Sequence, residues 1–504
     1  MADDGEDRGP GYGLGLSTRT QMTGYQFLAR RTAMALTRWQ VRMEVEPGRR
    51  QSLAVVASVS AGAVVCLGAL LWSFLSPSGQ MNESPIIADR DSGSLYVRVG
   101  DRLYPALNLA SARLIAGRAD NPHKVRSAQI ADQPHGPLVG IPGAPSELLP
   151  TTPASSSWLI CDTVTNVVGI GAPSPVTVTV IDGSPDLTGR RRILDGADAV
   201  VLRYGGDSWV IRQGRRSRID AADRAVLLPL GLTPEQVDHA RPMSRALFDA
   251  LPVGPELAIP TVPDAGAPAQ FPEPPGPVGM VFRTPQLSGP QQYSVVLSNG
   301  VQTVSEVVAK IMLNAGANPD GKPVEVTPQK LAQMPVVTGL DLSSYPEGPL
   351  NVVDVRDNPA TCWWWERGGG EARARVRVVS GPTMPVPIAK MGKVVSLVKV
   401  DNTGREADRV YFAPGYANFV AVTGNEQDAA TMESLWWLSF SGVRFGIPGN
   451  DERKSLGLVG EPTPAPWVAL RLLAPGPTLS RADALVRHDT LPTDMNPAEL
   501  VMPK

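Results

Sequence analysis

An uninterrupted apolar segment near the amino terminus constrains this chain more than any other feature. Residues Leu53–Leu75 carry no charged side chain over 23 positions, directly after Arg49 and Arg50. A helix rises about 1.5 Å per residue, so about 20 apolar residues cross a hydrocarbon core that is about 30 Å thick. The segment predicts one transmembrane helix, assigned to residues 51–76, between a short arm (1–50) and a large body.

The basic residues beside this segment predict its orientation. Eight Arg lie between Arg8 and Arg50, whereas residues 76–89 contain no Lys or Arg. By the positive-inside rule, the arm is cytoplasmic and the body lies on the other side of the membrane. A cleaved signal peptide is the first alternative, but the apolar run is too long and no clear A-x-A site follows it. A buried core helix is the second, and it would need protein on all sides of 23 uncharged residues.

Composition and charge narrow the class of protein. Gly and Pro number 49 each in 504 residues, which predicts many turns and short elements. Charged residues make up 19% and the net charge is −2, so neither a basic surplus for nucleic acid nor an acidic solvating tail is present.

The three cysteines divide between the membrane and the body. Cys66 lies in the apolar segment, whereas Cys161 and Cys362 lie outside it. Two thiols in one domain of an oxidising compartment usually pair, and such a bridge would restrict the unfolded chain by about 5 kcal/mol. Two separate buried thiols remain the alternative. The histidines have no ligand spacing to one another or to Cys, so we expect no metal site; they are His123, His135, His239 and His488.

The arm has its own predicted structure. Residues Gln21–Thr37 combine basic and apolar side chains as a helix would, and Val41–Val45 alternates as a short strand would, before Pro47 and Gly48 end it. The helix fits a membrane surface or a docking element for a cytosolic partner, and the sequence leaves both open.

An internal repeat organises the body. Four segments share an apolar strand, a Gly turn, a second strand, a helix and a closing Gly; they begin at Leu95, Ser208, Tyr293 and Leu435. The turn glycines are Gly100, Gly214, Gly300 and Gly442, and the closing glycines are Gly117, Gly231, Gly316 and Gly457. Glycine suits both places because turns and helix ends often need positive φ. The expected helix N-caps are Asn108, Asp220 and Ser305.

The repeats are not tandem, so further structure must lie between them. Strand patterns occur at 176–182, 351–356 and 374–380. We therefore predict a membrane-anchored α+β protein with four small repeat lobes around a β-rich central domain. The lobes are 77–120, 191–260, 283–330 and 405–474, the central domain is 121–190 with 331–404, 271–277 is a Pro-rich linker, and 475–504 is a Pro-rich tail.

A search for catalytic motifs finds one near miss and no catalytic residues. Gly316, Gly321 and Lys322 match a nucleotide-binding P-loop, but Pro323 stands where Ser or Thr would hold Mg²⁺. A P-loop also runs from a strand into a helix, whereas a helix is predicted before this loop. We interpret the match as a coincidence.

The cluster of aromatic residues and the cluster of basic residues each allow two structural interpretations. Trp363, Trp364 and Trp365 fit either a surface that stacks on sugar rings or a packed core with one Trp on the opposite face. We favour the core, and we expect Trp436 and Trp437 to split in the same way. The basic turn fits a solvated loop better than an anion site; its members are Arg215, Arg216 and Arg218.

Several segments together resemble the EccB family, the single-span membrane components of mycobacterial type VII (ESX) secretion systems. The resemblance covers essentially the whole chain and is strongest to members of the fifth ESX system, which exports PE and PPE proteins. The segments that carry it are 11–39, 76–93, 361–367, 405–412 and 470–485.

The resemblance implies a structural subunit of a hexameric inner-membrane complex with EccC, EccD, EccE, the protease MycP and other EccB copies. It implies that the body forms the periplasmic part, that the arm contacts cytoplasmic parts of neighbouring subunits, and that Cys161 pairs with Cys362. The family is also described as an ATPase, which would make ATP a ligand of this chain. That alternative would rest here on the imperfect loop at 316–323. A third hypothesis is that the lobes or the Trp cluster bind peptidoglycan. Otherwise we expect no cofactor.

Overall fold

The computed structural model describes residues 19–39, 47–75, 83–164, 175–286, 288–398, 406–429 and 434–491. The chain divides into two compact units, Met1–Gln80 and Met81–Lys504. The strand predicted at 41–45 and the tail beyond residue 491 lie outside the described residues.

The first unit contains the two helices that the sequence predicts. They are α1 (Arg19–Arg38) and α2 (Pro47–Leu75). The span Ser52–Trp72 has a mean hydropathy of 2.3 and none of it is buried, so it is not a core helix of this structure. Pro47 begins α2, because its fixed φ and missing N–H suit the first helical position. The residues that Pro47 and Gly48 were predicted to follow as a strand lie outside the described ranges.

The second unit is built from short strands and short helices. The helices are α3 (Leu109–Ala116), α4 (Ser127–Ala131), α5 (Arg224–Leu227), α6 (Pro234–Asp238), α7 (Arg245–Ala250), α8 (Glu306–Asn314), α9 (Pro328–Leu331), α10 (Asn450–Leu456), α11 (Trp467–Leu470), α12 (Arg481–Ala484) and a 3₁₀ helix (Ile388–Lys393). The strands are β1 (Ile86–Asp89), β2 (Leu95–Val99), β3 (Arg102–Ala106), β4 (His123–Val125), β5 (Leu138–Val139), β6 (Ser155–Val164), β7 (Val176–Asp182), β8 (Arg192–Ile193), β9 (Asp198–Tyr204), β10 (Asp207–Arg212), β11 (Arg215–Ile219), β12 (Arg241–Pro242), β13 (Val281–Thr284), β14 (Gln292–Leu297), β15 (Gly300–Val304), β16 (Val324–Glu325), β17 (Asn351–Val352), β18 (Ala360–Gly368), β19 (Arg375–Gly381), β20 (Val395–Ser396), β21 (Arg409–Phe412), β22 (Phe419–Thr423), β23 (Leu435–Leu438), β24 (Val443–Ile447), β25 (Thr463–Pro466), β26 (Ala474–Pro475) and β27 (Arg487–His488).

Four lobes share one topology, and the repeat is longer than predicted. Three antiparallel strands are followed by a helix, a strand parallel to the first, a second helix, and a segment parallel to the third strand. The lobes are β1–β5 with α3 and α4, β9–β12 with α5–α7, β13–β16 with α8 and α9, and β22–β26 with α10 and α11. The parallel strands have two to four residues, so their alternation is too brief to detect in sequence.

Most of the repeat glycines have the positive φ that the sequence predicts. All four closing glycines have positive φ, from 66° at Gly117 to 88° at Gly316. Three turn glycines do too, but Gly300 does not. Gly300 lies in β15, where a Cβ would come within 2.5 Å of the Pro335 carbonyl oxygen. Position 300 must therefore be glycine, because the backbone at Pro335 lies too close for a Cβ atom.

Two of the three expected N-caps are confirmed. Asn108 caps α3 and Ser305 caps α8, each accepting from a backbone N–H of the first turn. Asp220 is not a cap, since its carboxylate accepts from Ala222 N, and Asp223 caps α5 instead. A one-turn helix at 224–227 begins later than the spacing of the other lobes indicates.

A seven-stranded sheet forms the centre, in the order β20–β21–β7–β6–β18–β19–β8. The strands predicted at 176–182 and 374–380 belong to it. The pattern at 351–356 yields only the two-residue strand β17, which pairs with β9 of the second lobe. The structure also moves two boundaries, because β4, α4 and β5 complete the first lobe and β21 pairs with β7 in the central sheet.

The lobes pack in pairs that the chain order does not suggest. The first lobe shares a hydrophobic core with the fourth, where α3 meets α10 around Leu114 and Leu456. The second shares a core with the third, where α5 meets α8 around Leu227 and Ile311. The second and fourth lobes pack on one face of the central sheet around Trp363. The sheet therefore links both pairs of lobes.

Candidate functional site

The disulfide joins the middle strand of the central sheet, β6, to its neighbour β18. Cys161 on β6 lies directly opposite Cys362 on β18, and their sulfur atoms are 2.06 Å apart. Both residues are buried, at 0% and 1% exposure. The predicted pairing is confirmed, and it holds together two stretches of chain between which lobes two and three lie.

The three consecutive tryptophans form part of the core. Trp363 and Trp365 face the lobes and are 0% and 1% exposed, whereas Trp364 lies with the disulfide on the opposite face. Trp364 Nε1 donates to Ser157 Oγ at 3.0 Å, and the Arg377 guanidinium lies 4.6 Å from its ring centre. A sugar-stacking surface on this cluster is therefore wrong, and the packed core is confirmed.

The tryptophans of the fourth lobe split as expected. Trp437 is 3% exposed in the core shared with the first lobe. Trp436 is half-buried, and the Arg444 guanidinium lies 5.0 Å from its ring and 5.3 Å from that of Trp467. Burial lowers the pKa of Arg444 from its ordinary value.

The loop that resembles a nucleotide site binds its own backbone. It runs from α8 to the short strand β16, the reverse of the strand-to-helix order of a P-loop. Backbone N–H groups that would cradle phosphate donate instead to acceptors within residues 312–320; the donors are Gly316, Ala317, Gly321 and Lys322. No hydroxyl is supplied by Pro323. The arrangement does not fit a nucleotide with Mg²⁺.

A buried side chain fixes this loop to the third lobe. Asn318 is 2% exposed, and its amide donates to Val281 O at 2.7 Å and to Lys322 O at 2.6 Å. Its oxygen accepts from Val281 N at 2.8 Å. Hydrogen bonds from Asn318 therefore hold the loop that follows α8 against β13. The sequence analysis did not predict this role for Asn318.

The middle arginine of the basic turn is enclosed by aromatic rings. The Arg216 guanidinium lies 3.8 Å from the Phe248 ring centre and 5.6 Å from that of Trp209. It donates to the carbonyl oxygens of Phe248 and Leu251. Desolvation lowers its pKa. A solvated loop is therefore wrong for Arg216, whose role is to hold α7 against β11.

The other two arginines of the turn are partnered at the surface. Arg218 makes ion pairs with Asp207 at 3.1 Å and Glu256 at 3.2 Å. Arg215 Nη1 donates to Val253 O at 3.5 Å. Neither side chain is held toward an open anion site.

Two buried carboxylates escaped the sequence analysis. Asp162 on β6 is 2% exposed, and Ser244 donates to it from its backbone N and from Oγ, each at 2.6 Å. Ser244 also caps α7, so the carboxylate ties the second lobe to the central sheet. Burial raises the pKa of Asp162 to about 7 and that of Asp182 well above its ordinary value. The sequence signal was a lone Asp in an apolar strand.

The ionisable groups described so far serve the fold rather than a reaction. Within the described ranges no group of three or more His, Cys, Asp or Glu could hold a metal ion. The absence of a metal site from the whole chain stays a prediction. What these residues can do chemically is to join lobes to a sheet and fix loops.

The span and the lobed body together define a membrane-anchored scaffold subunit, and the comparisons give its family. The protein-family model described as "Type VII secretion system ESX-1, transport TM domain B" matches residues 14–493 of the sequence, so the chain belongs to the EccB family. It is 72% identical to "ESX-5 secretion system ATPase EccB5" of Mycobacterium tuberculosis, over 100% of both chains. It is 39% identical to the M. tuberculosis "ESX-3 secretion system ATPase EccB3", over 97% of this chain and 93% of that one.

Solved structures show the same architecture. A chain of "Structure of an intact ESX-5 inner membrane complex, Composite C3 model" has a TM-score of 0.79 and 71% identity, covering 98% of this chain and 100% of that one. A chain of "Structure of EccB3 dimer from the ESX-3 core complex" has a TM-score of 0.71 and 35% identity, covering 80% and 100%. The predicted family and mixed α+β class are confirmed.

Proposed function

We propose that this chain is the membrane-anchored structural subunit of a type VII secretion inner-membrane complex, supporting export of PE, PPE and Esx-type proteins. One observation carries the proposal: the described part of the chain contains one helix long and apolar enough to span a membrane, joined to a body whose four lobes are tied to one disulfide-bridged sheet. Such a body transmits position and force without substrate chemistry. Its similarity to a chain of an intact ESX-5 inner-membrane complex supports the same function.

The proposal includes a topology and partners. The arm faces the cytoplasm and the body the periplasm of the inner membrane, as the basic residues before the span favour. The partners are EccC, EccD, EccE, MycP and other copies of this chain. No cofactor is part of the proposal.

ATP hydrolysis is the second candidate, because the curated relatives carry the word ATPase in their names. The loop at 316–323 is the part of this chain that resembles a nucleotide site, and its amide donors are already used. This favours a subunit that takes no direct part in hydrolysis.

The assembly role is tested by removing the arm while keeping the anchor. A chain lacking residues 1–50 is compared with the full chain and with one whose span is replaced by an unrelated apolar helix of equal length. We expect the arm deletion to abolish recovery of the intact complex on a native gel, whereas the exchanged span retains it. Normal assembly without the arm would overturn its docking role.

A further inference from the structure

One sheet edge of the third lobe carries backbone groups without partners. In every lobe a segment runs parallel to the third strand and forms an edge of the sheet, and we call it the closing segment. In the third lobe it begins at Pro335, whose carbonyl oxygen accepts from Val301 N, and Val337 N donates to Val301 O. Since successive residues of an extended chain direct their amides to opposite sides, Val336 and Thr338 direct theirs away from the lobe. Neither N–H has an acceptor among the residues that the structure describes.

The first lobe shows what can cover such an edge. Its closing segment includes β5, and β27 pairs with β5 in the antiparallel sense, with Arg487 opposite Val139. Gly140 N donates to Val486 O and continues the pairing. An extended strand is therefore the kind of partner that this edge of the fold accepts.

Prolines interrupt the same edge in the other two lobes. The residues that point outward are Val253 and Pro255 in the second lobe and Pro475 and Pro477 in the fourth, because the residue between each pair donates its N–H to the third strand. Proline has no N–H to give to a further strand, and native proteins place it on sheet edges to prevent pairing. Within the described residues, the closing segment of the third lobe is the one that is neither covered nor interrupted.

The spacing of the unpaired groups fits a second copy of the same edge. Antiparallel pairing about a two-fold axis at Val337 would place Val336 of each copy opposite Thr338 of the other. Each of these pairs exchanges two N–H···O bonds, so both unpaired donors of each copy gain an acceptor. Val337 would face its own counterpart as the non-hydrogen-bonded pair between them.

The composition of the edge permits this pairing. Residues 332–340 carry no charged side chain, so two copies meet without like charges facing each other. In this register Asp341, the first acid after the edge, would lie opposite Gln333. The β-branched side chains of Val336 and Thr338 favour cross-strand contact. The edge is thus complementary to itself in hydrogen bonding and in charge.

We propose that the closing segment of the third lobe pairs in the antiparallel sense with the same segment of a second copy of the chain. The inference rests on the proposed function, which includes other copies of this chain among the partners, and assigns a surface to that contact. Pairing there would join two lobe sheets into one continuous sheet across the interface.

Cysteine cross-linking tests the register in the full-length chain, purified in detergent micelles with Cys66→Ala to remove the thiol in the span. The Cα atoms of a non-hydrogen-bonded pair lie about 4.5 Å apart, within the range of a disulfide. Mild oxidation of Val337→Cys should therefore give a covalent dimer on a non-reducing gel. Val336→Cys is the register control, because this more exposed position would face position 338 and should cross-link less. Val253→Cys, at a side chain that is 61% exposed on the second lobe, reports random collision.

Proline substitution tests the hydrogen bonds. Val336→Pro removes an N–H that has no acceptor in the described chain, so the lobe should keep its thermal midpoint. Val253→Pro is the matched control, since both residues follow a proline and the second lobe's edge is already interrupted. Each dimer of the Val336 variant loses two donors, so its dissociation constant in analytical ultracentrifugation should rise about tenfold or more. The control should dissociate like the parent.

Several results would overturn the proposal. One is a Val337→Cys dimer no more abundant than that of Val253→Cys, and another is a stronger cross-link at position 336 than at 337. Equal dissociation constants for the two proline variants would place the contact between copies on another surface, and recovery of an intact complex with Val336→Pro would then leave the proposed function standing. A cross-link from position 337 to a different protein in native membranes would overturn the second copy as the occupant.

Discussion

Cys161 and Cys362 lie directly opposite each other on adjacent antiparallel strands, with Cα atoms 4.0 Å apart, although 201 residues separate them in the chain. The second and third lobes lie within the closed loop. The bridge thus joins β6, which precedes both lobes in the chain, to β18, which follows them.

Removing the bridge should destabilise the body. Replacing both Cys161 and Cys362 with Ala should lower the free energy of unfolding by about 2–5 kcal/mol, since the closed loop restricts the unfolded chain. The measurement is chemical denaturation followed by near-UV circular dichroism. Cys66→Ala is the control and should unfold like the parent. Equal stability of the double variant and the parent would contradict a structural role for the bridge.

The tryptophans should differ by their burial. Trp363→Ala removes a fully buried side chain and should cost about 3–5 kcal/mol in the free energy of unfolding. Trp467→Ala, at a side chain that is 39% exposed, should cost much less. Thermal unfolding of the two variants measures the contrast. A similar loss in both would mean that burial in the central sheet does not set their contribution.

Lys322 should have no part in any ATP hydrolysis by this chain. Lys322→Ala should leave the rate of phosphate release unchanged in protein purified free of other subunits. Asn318→Ala should not alter hydrolysis either, but it should destabilise the third lobe by about 1–3 kcal/mol, because buried backbone groups lose their partners. Loss of hydrolysis in the Lys322 variant alone would assign nucleotide chemistry to the loop.

Burial of Asp162 should make stability fall as pH rises. Its pKa is about 7 in the folded chain against an ordinary value of 3.8, so the folded state binds more protons between these limits. Stability that is present below about pH 4 is therefore lost as pH rises through 7. Asp162→Asn should reduce the loss between pH 5 and 8 by an amount on the order of 2–4 kcal/mol.

A carboxylate that titrates far below this pH range, Asp89, provides the control for this titration. The pKa of Asp89 is lowered to about 2, chiefly by the hydrogen bond from Ser127, so its contribution is lost only as pH falls below 3.8. Asp89→Asn should leave the change between pH 5 and 8 as in the parent. Urea unfolding at both pH values measures both variants, and an Asp162 variant with the parental slope would refute the assignment.

Local signals predicted what local physics controls. The span, the arm helix and the positive φ of the closing glycines each depend on a few neighbouring residues. The prediction of a strand at 351–356 was too long. Apolar alternation does not show where a partner strand is available, and only Asn351 and Val352 pair with β9. The prediction of Asp220 as an N-cap was wrong because Asp223, three residues later, caps α5 instead.

The sequence by itself determined the membrane anchor, the strand-turn-strand-helix core of each lobe and the availability of two thiols. The hydropathy of the span and the φ preference of the repeat glycines are properties of short segments, so neighbouring residues suffice to predict them. Only the tertiary structure decided that the first lobe packs with the fourth, that Arg216 and Asn318 bind backbone rather than ligands, and that Asp162 holds Ser244. Those outcomes depend on which surfaces meet across hundreds of residues. The free energy of such contacts is set by burial and partner geometry, which spacing along the chain does not encode.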